Sequence, residues 1–200
     1  MKRNQALLIV DVQNDFCPGG ALAVPEGDAV VPALNTYLES FVKEQLPILA
    51  SRDWHPQKTK HFKPYGGPWP PHCVQNTPGA RFHPDLKLTS EAIILSKGMD
   101  PTSDGYSAFE ATDPQGRALG DLLRSLGIRD LFVGGLATDY CVKSSVLDAL
   151  KHGFNVYVLT DAVKGVEVNA GDSQKALEEM TSHGAKKITY SLLSNLQNEL

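Results

Sequence analysis

The sequence has 200 residues, of which 42% are hydrophobic and 21% charged, and a net charge of −4. That is enough chain for one domain with a real core, and too acidic for a nucleic-acid-binding surface, which needs a basic excess. Three cysteines (Cys17, Cys73 and Cys141) are too few, and odd in number, for a secreted disulfide framework, so a reducing, cytoplasmic location is expected.

The chain begins Met-Lys-Arg-Asn-Gln and passes straight into Ala6–Val12, a strand-like run with no signal-peptide pattern. Further short runs follow at 47–51, 92–96, 130–134, 155–160 and 187–190. Each is largely apolar rather than alternating, as in strands buried on both faces, and none is long enough to span a bilayer. Segments of helical period separate them: Val31, Leu34, Leu38, Phe41 and Val42; then Leu119, Leu122, Leu123 and Leu126; then Cys141, Val142, Ser145, Val146, Ala149 and Leu150. Gly127 and Gly153 stop the second and third of these, Thr138 or Asp139 can cap the third, and Asp172 or Ser173 the helix through Ala176, Leu177 and Met180. The alternation predicts an α/β fold: a mostly parallel sheet of about six strands with helices on both faces, in one domain spanning residues 1–200.

Ligands of an open α/β sheet lie beyond the carboxyl ends of its strands, and Asp11, Asp53, Lys97 and Ala137 all stand at or just past such ends. Asp11 is a general base, a metal ligand or a loop cap; Asp15 reads as a turn cap. Beyond Asp53 the chain is irregular to about Ser90, with seven prolines and with aromatic residues (Trp54, Phe62, Tyr65, Trp69 and Phe82) that argue for order. Asp53, His55, His61 and His72 fall within it, three of the six histidines of the chain beside a carboxylate. Imidazole and carboxylate suit zinc, iron or manganese; a polar, aromatic loop is the alternative. His83, His152 and His183 read as surface residues, and Cys73, next to His72, as a buried thiol ahead of a sulfur ligand. Lys97 is either a solvated charge or an ammonium that stabilises a thiolate. Cys141 follows Gly134-Gly-Leu-Ala-Thr-Asp-Tyr in a first helical turn, where unpaired amides and the dipole lower a thiol pKa and can hold an oxyanion; a small core residue is the bland reading.

Together these blocks resemble the nicotinamidase (pyrazinamidase) family of isochorismatase-like cysteine hydrolases. The resemblance runs from Leu8 to about Tyr190. It rests on Val-Asp11-Val-Gln-Asn-Asp-Phe with Pro-Gly-Gly-Ala-Leu, Arg-Asp53-Trp-His55, Trp-Pro-Pro-His72-Cys-Val, Lys97-Gly, Gly105-Tyr-Ser-Ala-Phe and Gly-Leu-Ala-Thr-Asp-Tyr-Cys141-Val. It implies an Asp11, Lys97 and Cys141 triad, and one divalent metal ion, zinc ahead of iron or manganese, on Asp53, His55 and His72, with His61 a further ligand found in some members. It also implies an oxyanion hole from the Ala137 and Cys141 amides after a cis Leu136-Ala137 bond. Phe16, Trp69 and Tyr106, with Leu136, would bind the substrate, nicotinamide. Tyr140 departs from members that carry histidine there and would alter the pocket rim. The activity implied is hydrolysis of nicotinamide, and of pyrazinamide, to the acid and ammonia through a thioester, in NAD salvage, with no nucleic-acid or membrane partner and with homo-oligomer formation left open. An isochorismatase or N-carbamoyl amidohydrolase is the nearest rival, but neither is expected to carry the Asp53, His55 and His72 set. A metal- or redox-sensing module is the rival outside enzymes, and it leaves Asp11 and Lys97 without a role.

Overall fold

The computed structural model describes residues 3–193. Six strands, β1 (Gln5–Val10), β2 (Ile48–Asp53), β3 (Ile93–Lys97), β4 (Asp130–Leu136), β5 (Asn155–Lys164) and β6 (Lys186–Ile188), form one sheet in the order β3-β2-β1-β4-β5-β6. Every pairing is parallel, as expected. Side chains of a strand alternate between faces, so β1 supplies two cores at once. Leu7 and Ile9 pack with Leu34, Tyr37, Leu38 and Phe41 of α1 (Val30–Lys43). Ala6, Leu8 and Val10 pack on the other face with α2 (Leu119–Ser125), α3 (Lys143–Lys151) and α4 (Asp172–Ser182). This explains why β1 reads as an unbroken apolar run. No helix among the described residues is long and apolar enough to cross a membrane.

The chain leaves β1 toward β2 and β3 on one side and returns to β4 on the other. The order therefore reverses between β1 and β4, and a crevice opens beyond their carboxyl ends. Those two strands approach closely: a Cβ on Gly135 would lie 2.1 Å from the Val10 carbonyl oxygen, and the residue has φ 121°. Only glycine fits there.

Several boundaries differ from the sequence reading. Pairing of β1 stops at Val10 rather than Val12 because Asp11 turns into the left-handed region, φ 50°. Aspartate tolerates that region better than most residues. Neither Thr138 nor Asp139 caps the third helix. Thr138–Val142 is a wide π turn preceding α3, Ala137 stands at its start, and the Asp139 carboxylate instead accepts the N–H groups of Val166 and Glu167. Asp172 and Ser173 likewise lie inside α4; the donors at its start, Gly171 and Ser173, go to the Glu167 carboxylate. A carboxylate four and six residues upstream of its donors lies outside the N-cap position that a sequence reading inspects. His152 and His183 are exposed, while His83 is half-buried against the 83–86 turn.

The long connection from Asp53 to β3 is ordered by its own aromatic residues and by β-like bridges. Phe62 is fully buried, His55 pairs with Val74, and Phe62 with Trp69. The Arg52 guanidinium covers the Trp54 ring at 3.7 Å.

Candidate active site

Register places the charged groups. Asp53 and Lys97 are Cα partners at the carboxyl ends of β2 and β3, and Asp11 follows the end of β1 beside them. The Lys97 ammonium is fully buried. It forms an ion pair with Asp11 Oδ2 at 2.8 Å and another with Asp53 Oδ1, and it donates to the Gly105 carbonyl at 2.8 Å. Its Nζ lies 3.4 Å from Cys141 Sγ. Asp11 Oδ1 accepts the Ser51 hydroxyl at 2.8 Å. The solvated-surface reading of Lys97 is thus excluded, and so is that of Asp11 as a simple loop cap.

The two carboxylates differ in character. Burial raises the Asp11 pKa, and Lys97 offsets this only in part. Burial also acts on Asp53, but Lys97, His55 and His72 outweigh it and hold the carboxyl well below its ordinary range. Asp53 therefore keeps its charge, while Asp11 is the readier proton acceptor, a division typical of paired carboxylates with distinct tasks. For Cys141 the sequence expectation has the wrong sign. Burial pushes its pKa well above that of a free thiol, with Lys97 opposing. The helix start does not overcome desolvation, so the resting group is a thiol.

A second cluster adjoins the first. The ligand atoms of His55, His61 and His72 lie within 4.8 Å of one another, all on buried side chains. Each ring has its Nδ1 engaged elsewhere: His55 with the Gly98 carbonyl at 3.0 Å, His61 with Asp104 Oδ1 at 3.0 Å and His72 with the Pro70 carbonyl at 2.8 Å. These bonds fix the tautomer that leaves Nε2 as the free lone pair. His55 Nε2 is buried without a hydrogen-bond partner, and Asp53 Oδ2 lies 3.6 Å from it and 3.9 Å from His72 Nε2. Burial lowers the pKa of His61 and takes that of His72 down to about 4, which keeps both neutral, as ligation requires. An orphaned imidazole nitrogen among neutral rings and one charged carboxylate fits a divalent metal ion.

One cavity joins the clusters. Phe16, Trp69, Tyr106, Ala137 and Cys141 line it together with Asp53, His61 and His72. Leu136 does not belong to that lining. It is fully buried in the core, its Cδ1 facing Gly27. The Leu136-Ala137 peptide is cis. Tyr140 stands at the rim, edge-on to Trp69 at 5.1 Å, and Trp69 Nε1 donates to the Tyr106 hydroxyl at 2.9 Å. Leu22 and Val166 complete the wall and escaped the sequence reading. Val166 follows β5, which runs to Lys164 rather than ending at Thr160, so the strand-end rule applied to the sequence stopped short of it.

Gln13 is the other residue the sequence reading missed. Its fully buried amide accepts the Asp53 N–H at 2.7 Å and donates to the Asp53 carbonyl at 2.8 Å and the Ala80 carbonyl at 2.9 Å. The side chain thereby continues the β1–β2 pairing after the backbone has turned away at Asp11. Asp15 does act as a cap, as expected, but across a long span: it accepts Ala21 N–H at 3.1 Å and Cys73 N–H at 2.7 Å, next to His72. Cys73 is buried, its thiol pKa pushed well up by burial. Gln13→Ala would strand buried groups of Asp53 and Ala80 and is expected to cost about 3 kcal/mol. Thermal unfolding would measure that loss, and chelator competition should show weaker metal retention. Unchanged retention would separate Gln13 from the ligand cluster.

The isochorismatase domain family matches residues 5–191. The nicotinamidase of Escherichia coli is 45% identical, over 92% of this chain and 94% of its own length. That extent of identity decides the family. The chain is a nicotinamidase-type member of the isochorismatase family. The nicotinamidase/pyrazinamidase of Mycobacterium tuberculosis is 41% identical over 88% of this chain and 94% of its own. The pyrazinamidase of Pyrococcus horikoshii, solved in complex with zinc, superposes with a TM-score of 0.87 at 49% identity, covering 94% of this chain and 99% of that one. For a family of amide hydrolases, a thiol, a carboxylate and an ammonium at one end of a cavity and a metal-binding cluster at the other are a coherent set.

Proposed function

We propose that this chain, acting as a single domain, hydrolyses nicotinamide to nicotinate and ammonia, and pyrazinamide likewise, within NAD salvage in the cytoplasm. The observation that carries this is the continuity of one cavity from Cys141 to His61 and His72. A divalent ion on Asp53, His55, His61 and His72, with zinc the proposed occupant, would take the ring nitrogen and so hold the carboxamide at the thiol.

Asp11 takes the Cys141 proton as sulfur attacks the carboxamide carbon. A thiol that is neutral at rest suits this, since charge develops only when substrate is in place. The oxyanion is received by the Ala137 and Cys141 amides. Asp11 then passes the proton to the amide nitrogen, the C–N bond breaks, and ammonia leaves a thioester on Cys141. Asp11 next removes a proton from water, whose oxygen adds to the thioester carbon; the C–S bond breaks to give the acid, and the thiol regains its proton. Lys97 keeps its charge throughout, because Asp11 and Asp53 outweigh burial and hold its pKa well above the ordinary value. Phe16 and Trp69 confine the ring, which is where orientation contributes most. Every group comes from one chain, so self-association is not needed to complete the site.

The test is ammonia release from nicotinamide by purified protein, before and after stripping with a chelator. Release that falls at least about tenfold on stripping and returns with zinc supports the reading. No release from metal-loaded protein refutes it.

A further inference from the structure

Val166 reaches the cavity from the segment after β5, and that segment is held by the turn that carries the thiol. Asp139, buried two residues before Cys141, accepts the Val166 N–H on Oδ1 and the Glu167 N–H on Oδ2, each at 2.9 Å. Glu167 adopts φ 55° and turns its own carboxylate onto the start of α4, accepting Gly171 N–H at 2.8 Å and Ser173 N–H at 3.0 Å. Close approach is built in: a Cβ on Gly165 would lie 1.8 Å from Ser173 Oγ and 3.1 Å from Asp139 Oδ1. Residues 165–167 are pinned from both sides, once by α4 and once by the Cys141 turn.

We propose that Asp139 is a positioning residue that fixes the Val166 wall relative to Cys141. Val166 in turn determines which rings the site accepts, namely flat six-membered heteroaromatic amides with no substituent on the edge facing it. This rests on the amidase reading above. Charge-assisted bonds to two successive backbone donors hold the wall stiffly, and a β-branched side chain has little rotamer freedom with which to yield. The other walls differ in kind. Trp69, Tyr106 and Tyr140 are rings packed on one another; Tyr140 belongs to the nucleophile's turn itself, and Trp69 and Tyr106 meet it through ring contacts.

The test is steady-state kinetics on zinc-loaded wild type, Val166→Ala and Asp139→Asn, with nicotinamide and a set of ring-methylated nicotinamides. Val166→Ala should raise kcat/KM for at least one methylated ring, relative to nicotinamide, by about tenfold or more, the range for a methyl-sized change in an apolar pocket. Asp139→Asn turns an amide N–H toward one of the two backbone donors. It should raise KM for nicotinamide about tenfold, change kcat less, and shift the same selectivity ratio. If Asp139→Asn does not fold, the Val166→Ala ratio alone decides. A ratio unchanged in both variants overturns the inference while leaving the amidase reading intact. Wild type that releases no ammonia from nicotinamide removes both.

Discussion

Cys141→Ala is expected to abolish ammonia release from nicotinamide, a loss on the order of 10⁴-fold or more, as when the nucleophile of a concerted catalytic group is removed. The thiol is the one sulfur on the cavity wall, 3.4 Å from the Lys97 ammonium. Its replacement by a methyl group removes little packing, at a cost of about 1 kcal/mol, so the variant should remain folded and still bind nicotinamide. That pairing of intact binding with lost turnover is the informative outcome, measured by calorimetric titration beside the ammonia assay. Substantial residual activity would mean that water attacks the amide directly and that the covalent step is wrong.

Lys97→Met should abolish activity as well and, unlike the cysteine variant, should also destabilise the fold, by about 3–5 kcal/mol. The ammonium neutralises two buried carboxylates, and methionine replaces its volume but not its charge. With Lys97 gone, Asp11 loses the largest influence that opposes burial and keeps only the Ser51 hydroxyl bond to lower its pKa, so the carboxyl is expected to become a neutral acid unable to accept the thiol proton. Adding Asp11→Asn to Lys97→Met should recover part of the stability, since one stranded acid is gone, and none of the activity. Denaturant unfolding of the single and double variants checks this. Equal instability in both would show that the stranded Asp11 acid is not what costs the single variant its stability.

The sheet was legible because apolar runs of strand length recur between segments of helical period, and β1 feeding two cores makes its run continuous. The catalytic and ligand positions were legible through strand ends: Asp11, Asp53 and Lys97 each follow a buried run, and parallel register then brings them together. Helix starts were not, since the carboxylate that satisfies α4 is Glu167, upstream of the N-cap position, and Asp139 accepts from Val166 and Glu167 instead of capping its own turn. Gln13 was invisible for a related reason. A glutamine that imitates a strand looks in sequence like any polar residue after one. The acidity of Cys141 was misjudged because a helix terminus acts at a distance that sequence shows, whereas burial depends on what closes over the sulfur.

The burial of Asp11, Lys97 and Cys141 has a consequence for traffic through the site. The three are between 0% and 6% exposed, and Cys141 opens onto the same cavity as the metal-binding cluster. In the proposed reaction, substrate, departing ammonia and hydrolytic water all use that cavity. Departure of ammonia then clears the path for water, so the order of the two half-reactions is imposed by access as well as by chemistry.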